Sequence, residues 1–138
     1  MPVNPLVYCR IVEAKLFIDN NYHLPIHLEQ VAKSACLSRY HFHRLFTRIY
    51  KTTPHRYLTT KRIGFAKELL SGDGNAISEI CTMVGFESIT SFNALFKKET
   101  GCSPGSYRSR VQLRREETRL LPGRFIPACF LQNGNFTA

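Results

Sequence analysis

Five polar side chains between residues 39 and 50 are spaced so that they share one face of a helix. They are Arg39, Tyr40, His43, Arg44 and Thr47. Intervals of three and four residues return to the same side of an α-helix. The opposite side is apolar and carries Phe42, Leu45, Phe46 and Ile49. An arginine on such a helix can donate two hydrogen bonds to a guanine, which discriminates among bases by about 1–3 kcal/mol. The chemistry that this face predicts is the reading of base edges in a major groove.

A second stretch, fifty residues later, repeats the apolar pattern with a different outer face. Its outer residues are Ile89, Thr90, Asn93, Ala94 and Lys97. Asn93 can bond an adenine through two hydrogen bonds, and Ile89 or Thr90 can touch a thymine methyl group. This face is poorer in strong base readers than the first. We therefore expect it to contribute less sequence discrimination.

The two stretches belong to a longer internal repeat. At an offset of 50 the matches are Phe42 with Phe92, Leu45 with Leu95, Phe46 with Phe96, Pro54 with Pro104 and Tyr57 with Tyr107. Upstream the offset is 49, and the matches are Leu28 with Ile77, Val31 with Ile80, Ala32 with Cys81 and Leu37 with Phe86. Matches at this many apolar positions indicate duplicated structural units.

Each unit reads as a short helix, a tight turn and a longer helix, which is the helix-turn-helix arrangement. A small residue is needed inside the first helix because the second crosses it closely, and Ala32 and Cys81 supply it. Four residues later the turn favours glycine, since a positive φ is expected there. Gly85 meets this requirement, whereas Cys36 departs from it.

The chain that carries these units is predicted to be all-α, with about seven helices. The helical segments are about 5–20, 28–34, 39–50, 54–70, 77–83, 88–100 and from 104 onwards. They predict two helix-turn-helix subdomains joined by a long central helix. The predicted divisions are a first subdomain at 5–53, a linker helix at 54–71, a second subdomain at 72–115 and a tail of unassigned structure at 116–138.

The central helix offers a reason for the repeat. Reading helices on one side of B-DNA must be about 34 Å apart to face successive major grooves. Helix-turn-helix proteins commonly obtain this spacing by dimerising. The segment 54–70 would span roughly 25 Å as a helix. We therefore expect one chain, acting as a monomer, to present both reading helices to double-stranded DNA.

The charge balance indicates a polyanionic partner. Nineteen Lys and Arg against ten Asp and Glu give a formal net charge of +9 and a pI near 9.6. Such a surplus favours nucleic acid first and an anionic membrane surface next. Phosphate contacts are predicted for Ser38, Lys61, Arg62, Lys97, Lys98 and Arg108. We expect affinity to fall steeply as salt is added.

Other classes of protein find little support. No stretch approaches the roughly 18 uninterrupted apolar residues needed to span a bilayer, and the N-terminus lacks the features of a secretory signal. The five cysteines include no CxxC pair, so reduced and mostly buried thiols in a cytoplasmic protein are expected. His41 and His43 do not share a helical face. We predict no metal site, no cofactor and no catalytic residue.

The sequence resembles the AraC/XylS family of transcription regulators over about residues 11–110. The resemblance is carried by PIHLEQVAKSACLSRYHFHRLF, YLTTKRIGFAKELL and ISEICTMVGFESITSFNALFKKETGCSPGSYR, in that order. It implies a bipartite all-α fold and a regulator that contacts RNA polymerase at promoters. By matching position, it implies base contacts by Tyr40, His43, Arg44 and Thr47, and by Ile89, Thr90, Asn93 and Ala94.

Three positions depart from the family's pattern. Cys36 replaces a turn glycine, and Lys51 stands where a glycine often ends the first reading helix. Ala94 stands where a long polar or basic side chain is frequent. The length matches members without a separate ligand-binding domain, unless Met1 begins a fragment.

Two rival functions stay open at this stage. An enzyme is disfavoured, because the sequence contains no nucleophile-base motif, no phosphate-binding glycine loop and no paired carboxylates. A protein-interaction module that binds another regulator or RNA polymerase is the stronger rival. It is supported by the weaker second face and by an apolar C-terminal segment with Leu120, Leu121, Phe125, Ile126 and Phe130.

Overall fold

The computed structural model describes residues 2, 4–72 and 74–127, and these residues form helices without a strand. We number the α-helices in chain order. They are α1 (Pro5–Asn21), α2 (Leu28–Ser34), α3 (Arg39–Tyr50), α4 (Pro54–Ser71), α5 (Ile77–Met83), α6 (Ile89–Thr100) and α7 (Pro104–Leu120). A 3₁₀ helix follows at Pro122–Phe125. The prediction of an all-α fold with about seven helices is confirmed.

The helices begin at the same places in both halves of the repeat. Ser38 and Ser88 cap α3 and α6, accepting hydrogen bonds from the backbone N–H groups of His41 at 3.1 Å and Ser91 at 3.4 Å. Side-chain caps satisfy N–H groups that have no partner within the helix. The same chemistry starts α4 at Thr53 and α7 at Ser103, and a proline follows each cap.

Two hydrophobic cores lie side by side along the chain. The first contains Ile11, Ala14, Ile18, Val31, Ala32, Ala35, Phe42, Leu45, Phe46 and Leu58. The second contains Ile63, Ala66, Leu70, Ile80, Cys81, Val84, Phe92 and Phe96. We call α3 and α6 the reading helices, because they carry the candidate base-reading residues. Each supplies two phenylalanines to its core, and their ring centroids are 5.6 Å apart in the first core and 5.8 Å apart in the second. A matching tyrosine packs on the second of these rings, Tyr57 on Phe46 and Tyr107 on Phe96.

The central helix α4 belongs to both cores. Leu58 near its start is buried in the first core, whereas Ile63, Ala66 and Leu70 are buried in the second. Burying apolar side chains at both ends fixes the helix against both units. It is therefore a shared structural element with one end in each unit, and it ends at Ser71.

A polar contact ties the end of α1 to the second unit. The Arg62 guanidinium donates Nε–H to the Tyr22 carbonyl at 2.7 Å and Nη2–H to the Leu24 carbonyl at 2.9 Å. The same guanidinium lies 5.6 Å from the centre of the Phe86 ring. Beside it the Tyr22 and Phe65 rings meet edge to face at 5.8 Å. This contact helps to hold the two units in one orientation.

The C-terminal region is more regular than the sequence suggested. Helix α7 continues past Arg115 to Leu120, and the 3₁₀ turn at Pro122–Phe125 follows. The division placed between residues 115 and 116 therefore falls inside a helix. Glu, Arg and Leu are good helix formers, and the helix ends where Pro122 restricts the residue before it. Residues 128–138, with Cys129 and Phe130, lie outside the described residues.

The expectation that the thiols are mostly buried is wrong for the described cysteines. Among the described cysteines, Cys81 and Cys102 are buried, whereas Cys9 and Cys36 are exposed. Cys36 lies in a turn at the surface, so it does not pack in a core.

Candidate nucleic-acid interface

The outer face of α3 projects long polar side chains away from the first core. Arg39, Tyr40, His43 and Arg44 are exposed, and Tyr40 is exposed by 71% of its surface. The inner residues Phe42, Leu45 and Phe46 are buried. The helix is thus anchored on one side and free on the other.

Two contacts within this face order its side chains. The Arg44 guanidinium lies 5.5 Å from the centre of the Tyr40 ring, a cation–π contact. The Thr47 hydroxyl donates to the His43 carbonyl at 2.7 Å. Thr47 is half-buried, and with its hydroxyl proton used inside the helix it offers mainly its methyl group to a partner. The main polar groups available on this face are therefore Arg39, Tyr40, His43 and Arg44.

The outer face of α6 is exposed as well, with smaller and less polar residues. Ile89, Thr90, Asn93, Ala94 and Lys97 are all exposed. Phe92 and Phe96 are buried on the inner side, and Leu95 is half-buried. Asn93 is the one amide on this face, while Ile89 and Ala94 can make only apolar contacts. The two reading faces therefore share a position in the fold but differ in chemistry.

The turn before each reading helix sets the direction of that helix. The Leu37 N–H donates to the Ala32 carbonyl at 3.0 Å, and the Phe86 N–H donates to the Cys81 carbonyl at 3.0 Å. This bond is typical of a helix end that is closed by a left-handed residue. That residue is Cys36 with φ 53° in the first unit and Gly85 with φ 88° in the second. The positive φ expected at this position is present in both turns.

Three of the predicted phosphate contacts lie at the surface of the reading helices. Lys97 and Lys98 are exposed in the last turn of α6, and Ser38 is exposed at the N-cap of α3. The Ser38 hydroxyl oxygen already accepts a bond from the His41 N–H. Its own proton can still be donated to a phosphate oxygen.

The other three predicted phosphate contacts have partners within the fold. Arg62 is bonded to two carbonyls at the end of α1, and burial lowers the pKa of its guanidinium. Arg108 is half-buried and donates to the Asn75 carbonyl. Lys61 lies 3.3 Å from an oxygen of Asp19 and remains partly exposed. These placements favour structural roles for Arg62 and Arg108.

An ionic cluster fixes α4 against α1 behind the first reading helix. The Asp19 carboxylate accepts a hydrogen bond from the Tyr57 hydroxyl and lies 2.7 Å from the Lys15 ammonium. Burial raises the pKa of Asp19, but hydrogen bonds from Lys15, Tyr57 and Lys61 outweigh burial and hold that pKa below its ordinary value. Burial, followed by Asp19, raises the pKa of Tyr57. The cluster is most stable with the carboxylate ionised.

The residues that sequence reasoning missed are at the start of α4. His55 lines one cleft with Arg39, Tyr40 and His43 and a second cleft with Leu95 and Lys98. It therefore lies between the two reading helices. Its exposed neighbour Arg56 lines the second cleft too. Pro54 marked this helix start in the sequence, but which helices lie on either side of it depends on the tertiary structure.

Two other features are absent from the part of the chain that the structure describes. No three His, Cys, Asp or Glu side chains there come together as a candidate metal site. No helix within the same residues combines the length and apolar character needed to cross a membrane. Exposed polar side chains and positive charge come together on the surface formed by α3, α6 and the start of α4.

The chain matches a family model described as a helix-turn-helix domain, over residues 31–110. The match begins in α2 and ends in α7, so it includes both units and the helix between them.

Curated relatives share this region and are longer than the chain. An uncharacterized helix-turn-helix regulator of Escherichia coli K12, YdiP, is 34% identical over 102 residues. The RCS-specific transcriptional activator RclR of the same organism is 38% identical over 85 residues. AdaA of Bacillus subtilis, named a bifunctional transcriptional activator and DNA repair enzyme, is 35% identical over 102 residues. The matches cover 74%, 62% and 74% of this chain but only 34%, 30% and 47% of those relatives.

Two solved structures match over nearly their whole length. The DNA-binding domain of the global transcriptional factor AdpA, in complex with a target DNA, matches with a TM-score of 0.74 and 27% identity. That match covers 78% of this chain and 97% of the AdpA domain. The C-terminal domain of the response regulator yesN from Fusobacterium nucleatum matches with a TM-score of 0.67 and 28% identity. It covers 70% of this chain and 94% of that domain.

Proposed function

This chain belongs to the AraC/XylS family of helix-turn-helix regulators, and we propose that it binds double-stranded DNA in a sequence-specific manner to regulate transcription. One observation carries the proposal. Two helices with the same buried anchors turn exposed outer faces away from adjoining cores. The similarity to a domain bound to its target DNA supports the same role for these helices.

In the first unit, α3 enters a major groove and its outer side chains read bases. Arg44 bonds a guanine, with its guanidinium ordered beside the Tyr40 ring. His43 and Arg39 supply further donors, while Tyr40 and Thr47 make apolar and hydroxyl contacts. Because every such group except Thr47 is exposed, these side chains can reach base edges without rearrangement of the core.

In the second unit, α6 enters the next major groove and reads fewer bases. Asn93 bonds an adenine, and Ile89, Thr90 or Ala94 contacts a thymine methyl group. Apolar contacts exclude wrong bases less strongly than paired hydrogen bonds do. The second unit therefore adds affinity and register more than discrimination.

Between the two grooves, the start of α4 contacts the phosphate backbone. His55 lies in the clefts on both sides, next to α3 and next to α6. A helix N-terminus carries a partial positive charge, which suits a phosphate. Arg56 adds a full charge at this point, and Ser38, Lys97 and Lys98 contact phosphates on either side.

A single chain occupies the whole site. Helix α4 has 18 residues and is therefore about 27 Å long, which is comparable to the spacing of successive grooves of about 34 Å. We propose that the chain acts as a monomer on DNA, contacts RNA polymerase at a promoter and has no catalytic role. Such a regulator acts in the cytoplasm.

Selection of bound duplexes from a random pool tests this function. We expect a shared motif made of two elements about 10 base pairs apart, with the element read by α3 better defined than that read by α6. The mass of the complex should correspond to one chain per duplex. A protein-interaction module that has lost DNA binding would return no shared motif, even at low ionic strength.

A further inference from the structure

Helix α7 forms a basic groove along residues 107–119 that neither reading helix accounts for. With the end of α6 it encloses about 710 Å³. Four arginines line this space, Arg110, Arg114, Arg115 and Arg119. We call it the arginine groove. Tyr107 and Val111 also line the arginine groove and are half-buried.

The arginines of this groove form no salt bridge with the two carboxylates of the same stretch of helix, Glu116 and Glu117. Within the part of the chain that the structure describes, none of the ion pairs involves them, and no acidic residue lines the groove. Arg110 and Arg114 are four residues apart, as are Arg115 and Arg119. Like charges at this spacing repel each other on a helix. A bound polyanion would relieve this repulsion.

The groove adjoins the outer face of α6. Thr100 lines the groove and lies seven residues after Asn93 and three after Lys97. These intervals put Thr100 on the same side of α6 as Asn93 and Lys97. The arginine groove therefore begins where the reading face of the second unit ends.

We propose that the arginine groove binds the phosphate backbone of the same DNA, just outside the two major grooves. This inference rests on the proposed function, because it extends the DNA surface that the two reading helices define. Phosphate contacts are independent of base sequence and depend strongly on salt. Guanidinium groups suit them because each can donate two parallel hydrogen bonds to one phosphate. The groove compensates for the weak readout by α6 by adding affinity next to it.

Two double variants and two duplexes test this site. The variant Arg114→Gln/Arg119→Gln removes two charges from the groove. Its control, Arg10→Gln/Lys33→Gln, removes two charges from exposed positions on α1 and α2. Both are compared with the unchanged chain on a selected duplex that ends at its motif and on one extended by about 10 base pairs, one helical turn, on each side.

On the extended duplex we expect the groove variant to bind at least fivefold more weakly than the control. The slope of log affinity against log salt should fall by about 1.8, which is roughly 0.9 for each phosphate that the variant no longer neutralises. The affinity that the unchanged chain gains from the extension should be absent from the groove variant. Circular dichroism should give the same helix content for both variants, since all four substituted residues are exposed.

Other results would overturn the assignment. Equal affinity and equal slopes for the two variants would show that the groove does not touch DNA. Unchanged DNA binding together with a loss of transcription activation would mean that the groove binds an acidic protein instead. If the unchanged chain selects no motif at all, the proposed function itself fails, which is a different result from failure of the groove alone.

Discussion

The two turns that precede the reading helices have the same backbone and different surroundings. Both close with the same hydrogen bond, and both contain a residue with positive φ. A Cβ on Gly85 would lie 2.8 Å from the Tyr22 carbonyl oxygen and 3.1 Å from the backbone of His23. Cys36, at the matching position of the first unit, is exposed and accommodates its side chain.

Two factors favour glycine in the second turn: the left-handed backbone and the lack of space for a side chain. In the first turn only the left-handed backbone favours glycine. A left-handed conformation costs a residue with a side chain roughly 1–2 kcal/mol, and the first unit tolerates this cost at both Cys36 and Lys51. The second turn is also pressed against the end of α1, where the Arg62 contact joins the two units. Glycine is indispensable there because another backbone occupies the space.

The two reading faces also differ, although they occupy matching positions in the two units. The first unit has the exposed ring and charges of Tyr40, His43 and Arg44, while the second has Ile89, Asn93 and Ala94. Conserving the inner packing of a helix does not constrain its outer side, since opposite faces are chemically independent. One repeat can therefore contain a strong and a weak reader.

The largest expected effect is on stability, from Gly85→Ala. Backbone strain and displacement of the Tyr22 carbonyl together should lower the free energy of unfolding by about 3 kcal/mol. The control is Gly101→Ala, which has a similar φ of 85° and no atom within 4 Å of the added Cβ. It should lose only about 1 kcal/mol. Urea unfolding measures both, and equal losses would show that φ alone decides.

Next in size is the effect of removing the contact between the units in Arg62→Met. Removing charged hydrogen bonds to two carbonyls should lower the free energy of unfolding by about 2 kcal/mol. The neighbouring Lys61→Met should cost less than about 1 kcal/mol, because its ion pair is partly exposed. If Arg62→Met instead keeps full stability in urea and weakens binding to all duplexes alike, Arg62 is a phosphate contact after all.

The two reading faces can be compared directly by Arg44→Ala and Asn93→Ala. We expect Arg44→Ala to bind the selected duplex at least tenfold more weakly, about 1.4 kcal/mol, and to lose preference at one base pair. Asn93→Ala should lose less affinity and less preference. Fluorescence anisotropy on single-base variants of the duplex measures both, with Arg10→Ala as the control for net charge. A larger loss from Asn93→Ala would reverse the assignment of strong and weak reader.

Low pH should reduce the stability of the first unit, because the Asp19 carboxylate becomes protonated. Its folded pKa lies below the ordinary value of about 3.9, so the ionised carboxylate stabilises the fold above about pH 4. That contribution is lost as the pH falls through the folded pKa. Asp19→Asn should cost about 1 kcal/mol or less at neutral pH and flatten the pH dependence of unfolding below pH 4. Glu29→Gln, in the exposed and longer pair with Lys33, is the control for loss of one carboxylate and should cost less free energy of unfolding at neutral pH than Asp19→Asn.

The smallest expected effect is a gain in stability from Cys36→Gly. Glycine removes the left-handed strain but adds freedom to the unfolded chain. The net gain in the free energy of unfolding should be about 0.5 kcal/mol, measured by urea unfolding. Cys36→Ala keeps the strain and is the matched control, with no gain expected. A loss on Cys36→Gly would mean that the cysteine side chain makes a stabilising contact.

The repeat made most of the fold predictable. Ser38, Pro54 and their partners fifty residues later mark helix starts by local chemistry alone. The apolar spacing of Phe42 and Phe46 identifies the inner side of a helix before its neighbours are known. For this reason the helix boundaries were predicted well from 28 to 104. Beyond Arg115 the apolar periodicity weakens, and the remaining helix has few buried residues to reveal it.

The site was predictable only in part. The outward positions on α3 and α6 follow from spacing, because they are what remains once the inner side is assigned. The positions of His55 and Arg62 could not be found in this way. Each depends on how segments more than 30 residues apart in the sequence pack together. Arg62 donates to the Tyr22 carbonyl, and His55 lines a cleft with Lys98.

The sequence by itself determined the family, the helical class, the duplication and the two outward faces, since each follows from periodicity and short-range chemistry. Only the tertiary structure decided which basic side chains remain exposed to a partner and which already form hydrogen bonds within the fold. Lys97 and Arg62 are both long cations on helices. One lies on an outer face, whereas the other meets two carbonyls at the end of α1. The physical reason is that a charge is attracted to whatever acceptor the folded chain brings near, and that neighbour is set by distant residues.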